Sequence, residues 1–225
     1  FVRQSAGISV RTTYFGQKAM AFAVTHPIPH DNISTEIHRR GGPFTLVPLP
    51  DHEDQPSSAV VWMETSSETA RLMALPTEAF EKEMSERSCY VLGPLNLATT
   101  RSVWPIISQI AERLNGKRIA LVAEAAHVIP PIGAQGLNMS LLDIKALREI
   151  AALSNDIGKP DVLERYHRER INDVRMRVSG ISLLNQASLG RPPSLKKLRP
   201  FGIRALHAAS PVRKGLMKIG LGLGR

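Results

Sequence analysis

The chain has 225 residues, of which 43% are hydrophobic and 22% charged, which is typical of a folded protein with a sizeable core and excludes wholesale disorder. A single cysteine, Cys89, excludes a disulfide framework and a cysteine-rich zinc site, and no apolar run approaches the roughly 20 residues that span a bilayer. The net charge of +9 is uneven: all 20 acidic and 18 of the 29 basic residues precede Val174. Because the chain begins with Phe1 rather than Met, we expect it to lie inside a longer protein.

Alternating apolar side chains predict an antiparallel meander in the first 65 residues. The strands are predicted over residues 10–26, 33–39, 44–49 and 59–64. The polar stretch between the last two predicts a hairpin loop over residues 50–57. Short amphipathic helices are then predicted over residues 66–74 and 77–87, with Ser67 and Thr77 as N-caps, followed by a strand within residues 96–104.

The second half of the chain has a different pattern. Residues 117–123 have a basic start, Lys117 and Arg118, and continue as an unbroken apolar run, which is typical of a buried parallel strand. A loop rich in proline and glycine follows, and helices are predicted over residues 138–153 and 161–189. The second helix carries pairs of opposite charge at i,i+4 spacing, such as Asp173 and Arg177.

The junction between the apolar run and the first of these helices predicts a ligand site. Glu124 ends the run, and Gly133 and Gly136 precede or enter the helix. Free N–H groups and the positive dipole end of a helix favour an anionic or electron-rich ligand atom, while glycine permits close approach. The alternative is that the glycines only allow a tight turn and that Glu124 is a cap or surface group.

The same segment resembles the second flavin-binding motif of the class A flavoprotein aromatic hydroxylases, whose fold is that of p-hydroxybenzoate hydroxylase. The matching residues are Ala125, Ala126, His127, Pro130, Pro131, Gly133, Gln135, Gly136, Asn138 and Asp143. Further segments are similar to the ubiquinone-biosynthesis branch, so the resemblance covers essentially the whole chain. These segments are residues 42–50, 60–62, 102–106 and 163–170, together with Leu184 and Asn185.

Two departures from the family pattern stand out. The family has Gly-Asp where this chain has Ala123 and Glu124, and the longer carboxylate puts the contact with a ribityl hydroxyl of FAD in doubt. The family's first GxGxxG motif has no counterpart; the only glycine-rich alternative, residues 220–224, has no helix after it. The chain thus resembles the carboxyl-terminal half of such an enzyme.

The resemblance implies an α/β fold, α+β as a fragment: the carboxyl-terminal part of a p-hydroxybenzoate hydroxylase-like FAD/NAD(P)-binding fold. It comprises an antiparallel substrate-domain sheet, one FAD-domain strand–loop–helix and carboxyl-terminal helices. We expect the substrate-domain sheet in residues 1–104, the second FAD-binding motif segment in 105–155, and a helical region with a basic tail in 156–225.

The implied activity is that of an FAD-dependent monooxygenase that hydroxylates the ring of a polyprenyl phenol in ubiquinone biosynthesis with NAD(P)H and O2. We expect the 225-residue portion alone to be inactive. The alternatives are another class A aromatic-ring hydroxylase and a non-catalytic binding module with a membrane-contacting tail. Neither a metal site nor a catalytic base is assigned. The resemblance assigns FAD contacts to Glu124, Pro130, Pro131, Gly133, Gln135, Gly136, Leu137 and Asn138.

The basic amphipathic tail, residues 201–225, suits an anionic membrane surface, from which a polyprenyl substrate is drawn. Its alternative is a helix packed on the body or on a partner subunit. We expect a cytoplasmic protein peripheral to the inner face of the membrane, with a second copy or other ubiquinone-biosynthesis proteins as partners and no nucleic acid.

The histidines and the cysteine are given structural or solvent roles at this stage. We interpret His127 as a packed, structural histidine and Cys89 as an inert thiol. His26, His30 and His38 are expected to be solvated.

Overall fold

A computed structural model describes residues 1–39, 41–132 and 135–188. Gly133, the basic tail of residues 201–225 and the glycine-rich residues 220–224 therefore lie outside the described residues. Two compact units are present: one is formed by residues 14–106, and the other by residues 1–13 with the described part of the chain from Ile107 onward.

The elements of the molecule follow one another in a fixed order, from a four-residue helix at the start to a long helix at the end. They are α1 (Val2–Ser5), β1 (Val10–Thr25), β2 (Thr35–His38), β3 (Pro43–His52), β4 (Gln55–Thr65), α2 (Ser66–Met73), α3 (Thr77–Arg87), β5 (Asn96–Leu97), β6 (Ser102–Ala111), β7 (Asn115–Gly116), β8 (Ile119–Ala120), a 3₁₀ helix (Ala123–Ala125), β9 (His127–Val128), α4 (Gln135–Ala151) and α5 (Pro160–Ser188).

The predicted antiparallel strands are confirmed, but their meander order is not, because β1 pairs with β4 rather than with β2. The larger sheet has the order β2-β3-β4-β1-β6-β9, with β5 paired to β1, and β2–β3, β3–β4 and β1–β4 are antiparallel pairs. Met20, Phe22 and Val24 lie on one buried face of β1, as their alternation predicts. They pack in a cluster with Phe44 and Trp62.

Three details of this unit differ from prediction. The N-cap of α3 is Pro76 rather than Thr77. The β3–β4 loop is a two-residue turn rather than an eight-residue one, because Glu53 and Asp54 both adopt positive φ, 50° and 61°, between the paired residues His52 and Gln55. Such turns match the twist of the flanking strands. The N-cap of α2 is Thr65 rather than Ser67, and its side chain accepts a hydrogen bond from the Glu68 amide at 3.3 Å.

In the other unit, the prediction of a buried parallel strand over residues 117–123 is wrong. Only Ile119–Ala120 is a strand, half-buried and antiparallel to β7. Arg118 and Ala123 both adopt positive φ, 56° and 54°, so the chain turns at each end of the apolar run. Among the described residues, β7 is the strand that pairs with this run.

Helices α4 and α5 are the main elements of this unit, and they contact each other. Met139, Ala146 and Ile150 form the buried face of α4, and they cluster with Tyr166 and Val174 of α5. Within the described residues, no helix is long and apolar enough to cross a membrane. In the same part of the chain, no three His, Cys, Asp or Glu side chains are grouped to hold a metal ion.

Candidate functional site

The 3₁₀ helix that carries Glu124 begins at a strained residue. Ala123 has a φ of 54°, in the left-handed region where a side chain is unfavourable. Its amide donates a hydrogen bond to Oδ2 of Asp143 at 3.1 Å. The 3₁₀ helix contacts α4, and the side chain of Glu124 is exposed, so its carboxylate is free to meet a ligand.

The loop after β9 and the start of α4 present the other predicted residues. Pro130 is buried and Pro131 is exposed. α4 begins at Gln135, three residues earlier than predicted. Gly136 and Leu137 are exposed, whereas Asn138 is half-buried.

The amino terminus of α4 is open above Gly136. Apart from the neighbouring residues and the nearby backbone of α4 itself, a Cβ added at Gly136 meets no atom of the described residues within 4 Å. Because the first N–H groups of an α-helix lack partners within the helix, they point toward this end of α4. This arrangement can hold an anionic or electron-rich group.

Asp143 connects three elements around the candidate site by hydrogen bonds. This fully buried carboxylate accepts three hydrogen bonds, from the Ala123 amide, from Nε2 of His127 at 2.7 Å and from Nε of Arg170 at 2.9 Å. Since burying an unpaired carboxylate is very unfavourable, these three donors are what allows Asp143 to lie on the apolar face of α4. The carboxylate thereby joins the 3₁₀ helix, β9 and α5.

A series of ion pairs and hydrogen bonds continues from Asp143 along α5, and we call it the ladder. Its members are Asp143, Arg170, Asp173, Arg177 and Gln135. Nη1 of Arg170 donates to Asp173 at 2.7 Å, and Nε of Arg177 donates to the same carboxylate at 3.1 Å. Nη1 of Arg177 then reaches Oε1 of Gln135 at 3.4 Å. Burial raises the pKa of Asp173, but the hydrogen bond from Arg170 and the charge of Arg177 outweigh it, so the pKa lies below its usual value.

Tyr166 and His167 join α5 to the β7–β8 hairpin region. The buried Tyr166 hydroxyl donates to the carbonyl of Leu121 at 2.8 Å, and burial together with the charge of Asp143 raises its pKa. Nδ1 of His167 accepts from the amide of Leu114 at 3.2 Å. Burial, with the charge of Arg113, lowers the pKa of His167, which keeps this acceptor neutral.

The histidines can be compared with their predicted roles, structural for His127 and solvated for His26 and His38. His127 is buried and donates to Asp143, a position that fits a structural histidine. The prediction that His26 is solvated is wrong, since it is 2% exposed. Its Nδ1 donates to the carbonyl of Ile28 and its Nε2 accepts from Oγ of Ser58, both at 2.9 Å. His38 is partly exposed and pairs with Glu36.

Two arginines next to the candidate site were not predicted from the sequence as site residues. Arg170 was not identified as a site residue, and Arg177 was interpreted only as half of an i,i+4 pair of opposite charge with Asp173. A signal was present: Arg170 lies at helical spacing with Leu163, Tyr166 and Val174, on the apolar stripe of α5. A charge on an apolar stripe indicates a buried partner.

Comparison with known proteins gives a family match and close relatives. The family described as FAD binding domain matches residues 1–179. Ubiquinone hydroxylase UbiL of Rhodospirillum rubrum is 32% identical over 225 residues, which cover 98% of this chain and 52% of that protein. The 3-demethoxyubiquinol 3-hydroxylase of Escherichia coli is 25% identical, over 99% of this chain and 56% of that protein.

The solved structures agree at the level of the fold. The Diels-Alderase PyrE3 is 20% identical, with a TM-score of 0.75, over 99% of this chain and 47% of that one. The match confirms the fold that the motif residues implied, and the relatives confirm the resemblance to the flavoprotein hydroxylases of ubiquinone biosynthesis. The chain spans about half the length of the curated relatives it matches.

Proposed function

The chain belongs to the family described as FAD binding domain, and on that premise we propose that it acts within an FAD-dependent monooxygenase of ubiquinone biosynthesis. The substrate is a polyprenyl phenol, and NAD(P)H and O2 are the co-substrates. One oxygen atom enters a ring C–H bond, the other leaves as water, and NAD(P)H is oxidised. The observation that carries this proposal is the open amino terminus of α4 beside the 3₁₀ helix that bears Glu124.

The residues present fit FAD. Bound FAD supplies the redox chemistry, while the protein supplies position and electrostatics. The amides of Gly136, Leu137 and Asn138 would donate to an electron-rich part of the cofactor, since the helix dipole favours negative charge at this end of α4. Glu124 would accept a hydrogen bond from a hydroxyl of FAD.

The remaining assigned residues shape the site around these donors. Pro130 and Pro131 would line the site beside the ring, and Gln135, at the start of α4, and Gly133 are also assigned to FAD. We assign the aromatic substrate to the sheet of residues 14–106. Residues 201–225 hold the protein at an anionic membrane surface, on the cytoplasmic side, where a polyprenyl chain is accessible.

The test uses the protein expressed from its complete reading frame. We expect one FAD per chain, released on denaturation, and NAD(P)H oxidation that is stimulated by a polyprenyl phenol and yields a product heavier by one oxygen atom. A protein purified without flavin, and unable to take it up, contradicts the cofactor assignment. Hydroxylation of an unprenylated phenol but not of its prenylated counterpart contradicts the substrate class and favours another aromatic-ring hydroxylase.

A further inference from the structure

We propose that Arg177 is a positioning residue: held by Asp173, it fixes Gln135 and with it the first turn of α4. Nothing in the proposed function requires this role. Where the inference concerns FAD it rests on that function, but the geometry of α4 can be tested without any ligand.

The ladder follows one stripe of α5 and ends at the candidate site. Arg170, Asp173 and Arg177 lie at i, i+3 and i+7, and their side chains are 5%, 16% and 9% exposed. At the far end, Arg170 is bound to Asp143, which also holds the amide of Ala123. The ladder therefore links both sides of the site, the 3₁₀ helix and the start of α4.

The burial of these groups distinguishes them from an ordinary helical ion pair. Arg168 also pairs with a carboxylate four residues away, that of Glu164, but its side chain is 77% exposed. Such exposed pairs contribute little to stability. Here Asp143 and Arg170 are buried, and the side chains of Asp173 and Arg177 are largely shielded from solvent. The groups are therefore held in one arrangement, because displacing one of them leaves a shielded charge unpaired.

The shape of the guanidinium explains why an arginine is needed at position 177. Its Nε donates to Asp173 while its Nη1 donates to Gln135, so one planar group reaches two elements at once. A lysine has a compact ammonium on a flexible stem and can keep the pairing with Asp173 without reaching Gln135. Loss of that contact removes one restraint on the first turn of α4, and helix ends fray readily.

The experiment compares Arg177→Met and Arg177→Lys with a matched control, Arg175→Met, which removes an exposed arginine from the same helix. Hydrogen exchange is measured at the amides of residues 139–142, which bond to the carbonyls of residues 135–138 in an α-helix. FAD affinity and thermal unfolding are measured on the same samples, expressed from the complete reading frame.

We expect both Arg177 variants to exchange about tenfold faster at these amides and to bind FAD about tenfold more weakly, while Arg175→Met matches the wild type. Wild-type exchange and affinity in Arg177→Lys overturn the inference, because charge alone then suffices. If Arg177→Met does not fold, Arg177→Lys decides the question by the same measurements. A wild-type protein that binds no FAD overturns the proposed function, and the exchange arm still decides this inference.

Discussion

At the scale of single residues, Ala123 has the least favourable backbone in the candidate site. Its φ of 54° suits glycine, which is the residue that the flavoprotein hydroxylase motif has here. The position is nevertheless fixed, because the amide of Ala123 donates to the buried carboxylate of Asp143. The hydrogen bond to Asp143 thus holds a conformation that alanine alone disfavours by roughly 1–2 kcal/mol.

We predict that Ala123→Gly stabilises the protein by up to about 1 kcal/mol, since glycine removes this strain and retains the amide, although it gives the unfolded chain more freedom. Urea unfolding measures the change. The matched control is Ala126→Gly. Ala126 has a φ of −93° and is buried, so the loss of its methyl group lowers the free energy of unfolding. A destabilised Ala123→Gly would contradict the account of the turn.

At the scale of elements, His26 holds the end of β1 to β4 through Oγ of Ser58. Because a carbonyl can only accept, Nδ1 carries the proton toward Ile28, and Nε2 must stay unprotonated to accept from Ser58. Burial and the neighbouring His30 lower the pKa of His26 below 6.5, although its hydrogen bond to Ile28 and the charge of Asp51 act in the opposite direction.

The sign of the pH dependence follows from this shift. Neutral His26 contributes its full stability above pH 6.5, the pKa of the unfolded chain, and the contribution is lost as the pH falls through 6.5 toward the folded pKa. We predict that the difference in unfolding free energy between wild type and His26→Gln shrinks from about pH 7.5 to about pH 5.5, by no more than about 1.4 kcal/mol per pH unit. Exposed His52, changed to Gln, is the control. A constant difference would contradict the account, because it would show that the pKa of His26 is the same in the folded and the unfolded chain.

The elements show which parts of the fold were predictable from sequence. The strands of the antiparallel sheet were predictable, because their alternation is local and one face of β1 is buried. The β3–β4 turn and the run before Glu124 were not, because positive φ at Glu53, Asp54 and Ala123 is imposed by neighbours rather than by residue type. The motif predicted the candidate site. The ladder from Asp143 to Gln135 was not predictable, because its side-chain contacts join residues as far as 42 positions apart and no periodicity encodes them.

At the scale of the whole molecule, the charge separates a body of −2 from a tail in which no acidic residue follows Asp173. We predict that the protein binds anionic vesicles, that salt weakens the binding, and that removal of residues 201–225 abolishes it. Replacing Arg213 and Lys214 by Gln should weaken binding by about fivefold for each charge. Vesicle sedimentation measures the affinity, and binding that is indifferent to salt would contradict a role for the tail's charge.

The central claim is that the amino terminus of α4 faces FAD, and the measurement that tests it most directly compares two glycines. Gly136 and Gly180 both lie in helices with open space where a Cβ would stand, so alanine fits the fold at either position and favours the helix. In protein from the complete reading frame, we predict that Gly136→Ala weakens FAD binding about tenfold without loss of stability, because the methyl group stands where the cofactor approaches. Gly180→Ala should leave the FAD affinity unchanged. Equal FAD affinity in the wild type and both variants would contradict the assignment of this site.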